Sequence, residues 1–327
     1  GGLAFFKIES SHSEAVIETL SSGIELDRIK PVMEMYCRAL AGAEVKLSPT
    51  DALVEKNIGW VSNESPTTEG STVFVPTLVD RYGTKEENYA WFKVVSTHQV
   101  AHLEFGSFIF EFERPSGLFE NLRLDLEARR IETLRENQDN GPAFGEDVAD
   151  SDSPGNELSE SHTGLERAWL TDMQRFFDLF EDRKLSLDIF TVVEDGRLDA
   201  RVKNEYPGIK SSYTQVQSDS HENRPDIKEL PAREAMVEFM VRLSLQQYEG
   251  VLAPSKYNKE ASQVAQIARR VLVPEATVED TAEASLRIYA IISAIPNEEI
   301  PPDDWNDMDF DEEDEKEYVD PEEMENL

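Results

Sequence analysis

A chain of 327 residues has room for one large or two modest domains. Its 39% hydrophobic and 30% charged residues, with a mean hydropathy of −0.50, mark part of it as too polar to pack into a core. A net charge of −35 sets it against phosphate backbones and anionic lipid, so no nucleic-acid partner is expected, and no apolar run approaches the roughly 18–20 residues of a membrane span, so no membrane insertion is expected.

In chain order, the spacing of Val16, Ile17, Leu20, Ile24, Ile29, Val32, Met33 and Tyr36 predicts helix, with Pro31 in a first turn. Cys37 falls among Met33, Met35 and Tyr36 as a core residue; as the single cysteine it excludes an internal disulfide and points to a reducing, cytoplasmic setting. Thr72-Val-Phe-Val-Pro76, after a Gly/Ser/Thr-rich turn, is the one convincing strand. From Thr84, an N-cap with Glu87 three residues on, apolar periodicity continues for about 20 residues to Gly106 and predicts a helix central to the core. Further helices are predicted over 118–135, 165–184, 189–204, 232–248, 259–271 and 278–292. The composition of 137–163 and 211–225 predicts flexible loops.

From Glu298 to Glu325 there are sixteen carboxylates and one lysine, Lys316. Such a segment repels itself, so 296–327 is predicted to be an acidic disordered linker or tail; its aromatic residues Trp305, Phe310 and Tyr318 would also suit docking on a basic partner. The expected fold is mainly α, a helical domain over 1–295 with a minor β element and this acidic extension.

His98 and His102 stand four apart in His-Gln-Val-Ala-His, the spacing that puts two imidazoles on one helix face, as two ligands of one metal require. The pattern is H-E-x-x-H with Gln99 in place of the glutamate, and a neutral amide cannot take a proton from metal-bound water. A short echo, Glu127-Ala-Arg-Arg130-Ile-Glu132 and Glu194-Asp-Gly-Arg197-Leu-Asp199, shares the frame E-x-x-R-[IL]-[DE]. In a helix the first acid and the arginine share a face and the second acid lies off it. One reading makes Glu127 with Arg130 and Glu194 with Arg197 structural ion pairs. The other makes His98, His102 and Glu194 a degenerate zinc-type cluster. Either reading brings the histidine helix and the echo helices together. No phosphate-binding loop, dinucleotide fingerprint or nucleophile elbow occurs, so no catalytic residue is assigned and the chain is expected not to be an enzyme by itself.

The blocks Val94-Val-Ser-Thr-His-Gln-Val-Ala-His-Leu-Glu-Phe-Gly-Ser-Phe108, Leu118-Phe-Glu-Asn-Leu122, Val193-Glu-Asp-Gly-Arg-Leu-Asp-Ala-Arg201 and Glu205-Tyr-Pro-Gly208 resemble the N-terminal region of the CbbO/NorD group. These are von Willebrand factor A (VWA) domain proteins encoded beside MoxR-type AAA+ ATPases. The resemblance covers roughly 73–208 and implies an adaptor that binds the ATPase hexamer (CbbQ or NorQ) and presents a client to it. The client would be Rubisco on the CbbO side, freed of inhibitory sugar phosphates, or nitric oxide reductase on the NorD side; the His-Gln-Val-Ala-His block is closer to CbbO. The VWA metal motif D-x-S-x-S is absent, Asp150-Ser-Asp-Ser153 being the nearest approach, so the chain is expected to be such a region without its VWA domain.

Overall fold

The computed structural model describes residues 21–42, 44–50, 67–139 and 171–310. The first part holds β1 (Ile24–Glu25), α1 (Leu26–Ala41), β2 (Lys46–Pro49), β3 (Thr67–Glu69), β4 (Thr72–Val75), β5 (Leu78–Val79) and α2 (Lys85–Glu104). After it come α3 (Arg123–Asp139), α4 (Asp172–Phe177), α5 (Arg183–Glu205), α6 (Lys210–Glu222), α7 (Ala232–Leu245), β6 (Val251–Pro254), α8 (Asn258–Arg270), α9 (Val278–Ala294) and β7 (Trp305–Met308). The fold is mainly α with short strands. Among the described residues, no helix is long and apolar enough to cross a membrane.

The chain divides into two compact units. One comprises the described residues up to Phe108 with Leu198–Pro225 and Leu245–Gln247; the other comprises Ile109–Arg197, Asp226–Ser244 and the described residues from Tyr248 onward. Helix α5 gives its residues up to Arg197 to the second unit and those from Leu198 to the first.

In the first unit β4 is the middle strand of a three-stranded sheet, parallel to β2 and antiparallel to β3. Val73 and Val75 of β4 join Leu26, Met33, Cys37, Leu47, Trp91, Phe92 and Val100 in one core. Burial pushes the Cys37 thiol up to about 12, so it stays protonated and behaves as an apolar side chain. Pro31 lies inside α1, beyond its first turn, on an exposed face where water can satisfy the carbonyl that proline leaves unbonded. Helix α2 starts as predicted: Thr84 Oγ1 accepts from the Glu87 amide at 3.2 Å. Its buried positions include Asn88, Trp91, Phe92, Val94, Ser96, Thr97, Val100 and Ala101, which surround the helix instead of forming one stripe. Asn88 fixes its entry. The side-chain oxygen accepts from the amides of Arg81 (2.8 Å) and Tyr82 (3.0 Å), while its nitrogen donates to the carbonyls of Ser22, Tyr82 and Thr84 at 2.9–3.0 Å.

Residues 211–225, predicted to be a loop, are mostly helix α6. Their polarity misleads because α6 is held by polar contacts as well as by packing of Tyr213 and Val216: Tyr82 Oη donates to Asp219 at 2.6 Å, and Tyr213 and Gln217 are buried against α5. The loop predicted at 137–163 falls outside the described residues except for the end of α3.

In the second unit, Phe110, Phe177 and Phe180 meet Phe176 edge-on and Phe190 meets it at a tilt, at centroid separations of 5.1–5.7 Å. Helix α9 is buried along almost its whole length, including Glu279, Asp280 and Glu283. Those acids help explain why 118–122, predicted as the start of a helix, is not helical: the peptide groups around it bond to side chains of α9 and α8 instead. Asp280 Oδ1 accepts from Ser116 Oγ (2.6 Å) and the amides of Gly117 (2.8 Å) and Leu118 (2.9 Å). Glu283 accepts from the Leu122 amide at 3.1 Å, and Arg287 and Arg270 donate to the carbonyls of Glu120 and Leu118. Order also extends past residue 295: β7 pairs antiparallel with β6, and Phe310 is buried against Phe239 at 5.9 Å. The predicted acidic linker therefore begins with a folded stretch, because its few apolar residues are spent on β6 and the core; 311–327 lie outside the described residues.

Candidate functional site

The site with the most chemical character lies in the first unit, where α2, the C-terminal part of α5 and α6 converge. Four-residue spacing on α2 brings His98 and His102 together, with ring centroids 5.3 Å apart and planes at 90°. A ring nitrogen of one lies within 4.8 Å of a ring nitrogen of the other. Behind His98 stands Asp199. Its Oδ1 is 2.8 Å from His98 Nδ1 and accepts from Tyr213 Oη at 2.5 Å, while its Oδ2 accepts from Gln217 Nε2 at 2.6 Å.

An ionised carboxylate has no proton to give, so His98 Nδ1 donates, and Asp199 fixes both the tautomer and the plane of the ring. Burial pushes the Asp199 carboxyl upward, but His98 and the Tyr213 hydroxyl, with the charge of Lys203, outweigh it and hold the group below its ordinary range. The same burial lowers the Lys203 ammonium, an effect Asp199 partly offsets. His102 Nδ1 lies 3.2 Å from Ser107 Oγ, in the turn that follows α2 through left-handed Gly106 (φ 78°). Nearby, Tyr206 Oη donates to Glu104; burial and then this carboxylate raise the phenol's pKa.

Glu194 is placed differently from the metal-ligand reading. In the second unit its oxygens lie 2.5 Å and 2.8 Å from Arg197 Nη2 and Nε, and Thr281 Oγ1 donates to it at 2.7 Å. Arg197 Nη1 donates in turn to the Ala276 carbonyl at 3.1 Å. These contacts assign Glu194 to holding α5 against α9, not to a metal. The other half of the echo also departs from its frame: Glu127 receives Arg175 Nε and Nη2 at 3.2 and 3.0 Å, while Arg130 is exposed. A partner on the neighbouring helix α4 competes better for Glu127 than a flexible one on its own helix.

The residue that sequence reasoning missed is Asp199. It is the second acid of the frame Glu194–Arg197–Asp199, and its position off the Glu194–Arg197 face was the available signal. Tyr213 and Gln217 carried none, since they sit in a segment read as loop.

No family model, curated protein or solved structure matches the chain.

Proposed function

We propose that the chain is a non-enzymatic adaptor of a MoxR-type AAA+ ATPase, acting in the cytoplasm, docking on the ATPase hexamer and coupling ATP hydrolysis to remodelling of a client. One observation carries this reading: blocks chosen on sequence resemblance alone are joined by specific side-chain contacts. His98, from the first block, bonds Asp199, from the third, at 2.8 Å. Glu104 and Tyr206, from the first and fourth, are also paired. A resemblance spread over distant segments gains weight when those segments build one network. The histidine block favours a CbbO-like role with Rubisco as client; a NorD-like role with nitric oxide reductase is the second form of the same reading.

The test mixes the purified chain with the cognate hexamer and follows co-elution and ATPase rate. The reading expects co-elution and a changed rate, and further change when the client is added. Separate elution together with an unchanged rate overturns it. Supplying Rubisco and nitric oxide reductase in parallel separates the two clients.

A further inference from the structure

We propose that His98 and His102 form a binding site for a divalent transition cation of the zinc class, with Asp199 as the positioning residue behind it. The proposal is independent of the adaptor reading and uses only residues of the first unit.

Two imidazoles one turn apart on a helix are a recurring half-site for such ions, and those on α2 already face each other with ring nitrogens within 4.8 Å. Zinc–nitrogen bonds of about 2.0–2.1 Å place two tetrahedral ligands roughly 3.4 Å apart, a closure that small side-chain rotations supply. The arrangement behind the rings is more particular than the spacing. Asp199 accepts the Nδ1 proton of His98, which leaves the ring's metal-binding lone pair on Nε2 and makes it more basic. Tyr213 and Gln217 hold the carboxylate in place, so the orientation of the ring is fixed before any ion arrives. His102 has a lighter version of the same support, its Nδ1 lying against Ser107 Oγ. Imidazole ligands select zinc, nickel, copper or cobalt over magnesium and calcium. With Gln99 where a hydrolase would carry a glutamate, the site offers binding without a base to activate water.

The experiment uses the full chain, purified without a polyhistidine tag and stripped with a chelator. Cobalt(II) is added and followed by its visible d–d absorption, then displaced by zinc(II). The expected result is saturation at one equivalent, displacement by zinc, and no response to magnesium. His98→Ala and His102→Ala should each weaken cobalt binding by at least tenfold. Asp199→Asn should weaken it by about 10–100-fold, and Glu194→Gln should leave it unchanged. Should a variant fail to fold, wild-type thermal unfolding decides: the midpoint must rise with zinc concentration and fall back on chelation. Absence of d–d bands with no zinc-dependent midpoint overturns the proposal, as does a folded His102→Ala that binds like wild type.

Discussion

Nδ1 of His98 lies 2.8 Å from Oδ1 of Asp199, and one buried carboxylate thereby joins three helices of the first unit. Asp199 also accepts from Tyr213 and Gln217 of α6, so it ties this polar helix to the rest of the unit. Replacing it with asparagine sets an amide NH₂ against existing donors and removes charge-assisted bonds, each worth roughly 1.5–3 kcal/mol. Asp199→Asn is expected to lower unfolding free energy by about 2–4 kcal/mol in metal-free buffer, measured by urea denaturation. A double-mutant cycle with His98→Gln should return a coupling of about 1–3 kcal/mol; additive effects would show that the pair does not interact.

Asp280 predicts a pH dependence. Burial raises its carboxyl, but the Ser116 hydroxyl and the amides of Thr277, Leu118 and Gly117 outweigh that and hold it below the ordinary aspartate range. A group whose pKa is lower folded than unfolded stabilises the fold above its unfolded value, about 3.9, and loses that contribution as pH falls through the folded one. Wild type should therefore exceed Asp280→Asn in stability by a constant margin from pH 5 to 8, and the margin should shrink below about pH 4. Denaturation curves at pH 3 and pH 7 check the sign.

Much of this was legible in the sequence where one local rule governs. Thr84 and Glu87 announce the start of α2 because capping uses nearest neighbours, and His98 and His102 announce a shared face because helix geometry does. The failures occur where distant partners decide. Residues 211–222 look like loop because their bonds go to Tyr82 and Asp199, which no local window contains. Residues 118–122 look helical because their apolar spacing is right, yet Asp280 and Glu283 supply hydrogen bonds that a helix would otherwise make internally. Trp305 and Phe310 look stranded in an acidic tail until β6 and Phe239 are seen beside them.

Asn88 is a stability hub with no role in the site. It satisfies two amides and three carbonyls around residues 22 and 81–84. Asn88→Ala removes the side-chain partner of these part-buried groups, although the Thr84 carbonyl keeps the backbone amide of residue 88 at 3.2 Å; a buried group left unpaired costs about 1–3 kcal/mol. An overall loss of about 2–4 kcal/mol is expected, with amide exchange accelerated first in the turn before α2. Asn88→Asp should be no better, because a carboxylate cannot donate to the carbonyls of Ser22, Tyr82 and Thr84.

The buried ion pair of Arg123 and Glu283 makes an asymmetric prediction. Glu283 carries two guanidinium partners, Arg123 Nη1 and Arg287 Nη1, both at 2.8 Å, and accepts the amides of Leu122 and Arg123 as well. Arg123 has one carboxylate partner and also donates to the carbonyls of Phe112 and Arg114. Removing one member of a buried pair typically costs about 3–5 kcal/mol, because the charge left behind is desolvated and unmatched. Glu283→Leu leaves two cations in that condition, whereas Arg123→Met leaves Glu283 still bonded to Arg287. Glu283→Leu should therefore be the more damaging by at least about 1 kcal/mol, and the double variant should be more stable than the sum of the two losses predicts. Equal single-variant losses that add would show the two charges to be solvated, contrary to their burial of 1% and 0% side-chain exposure.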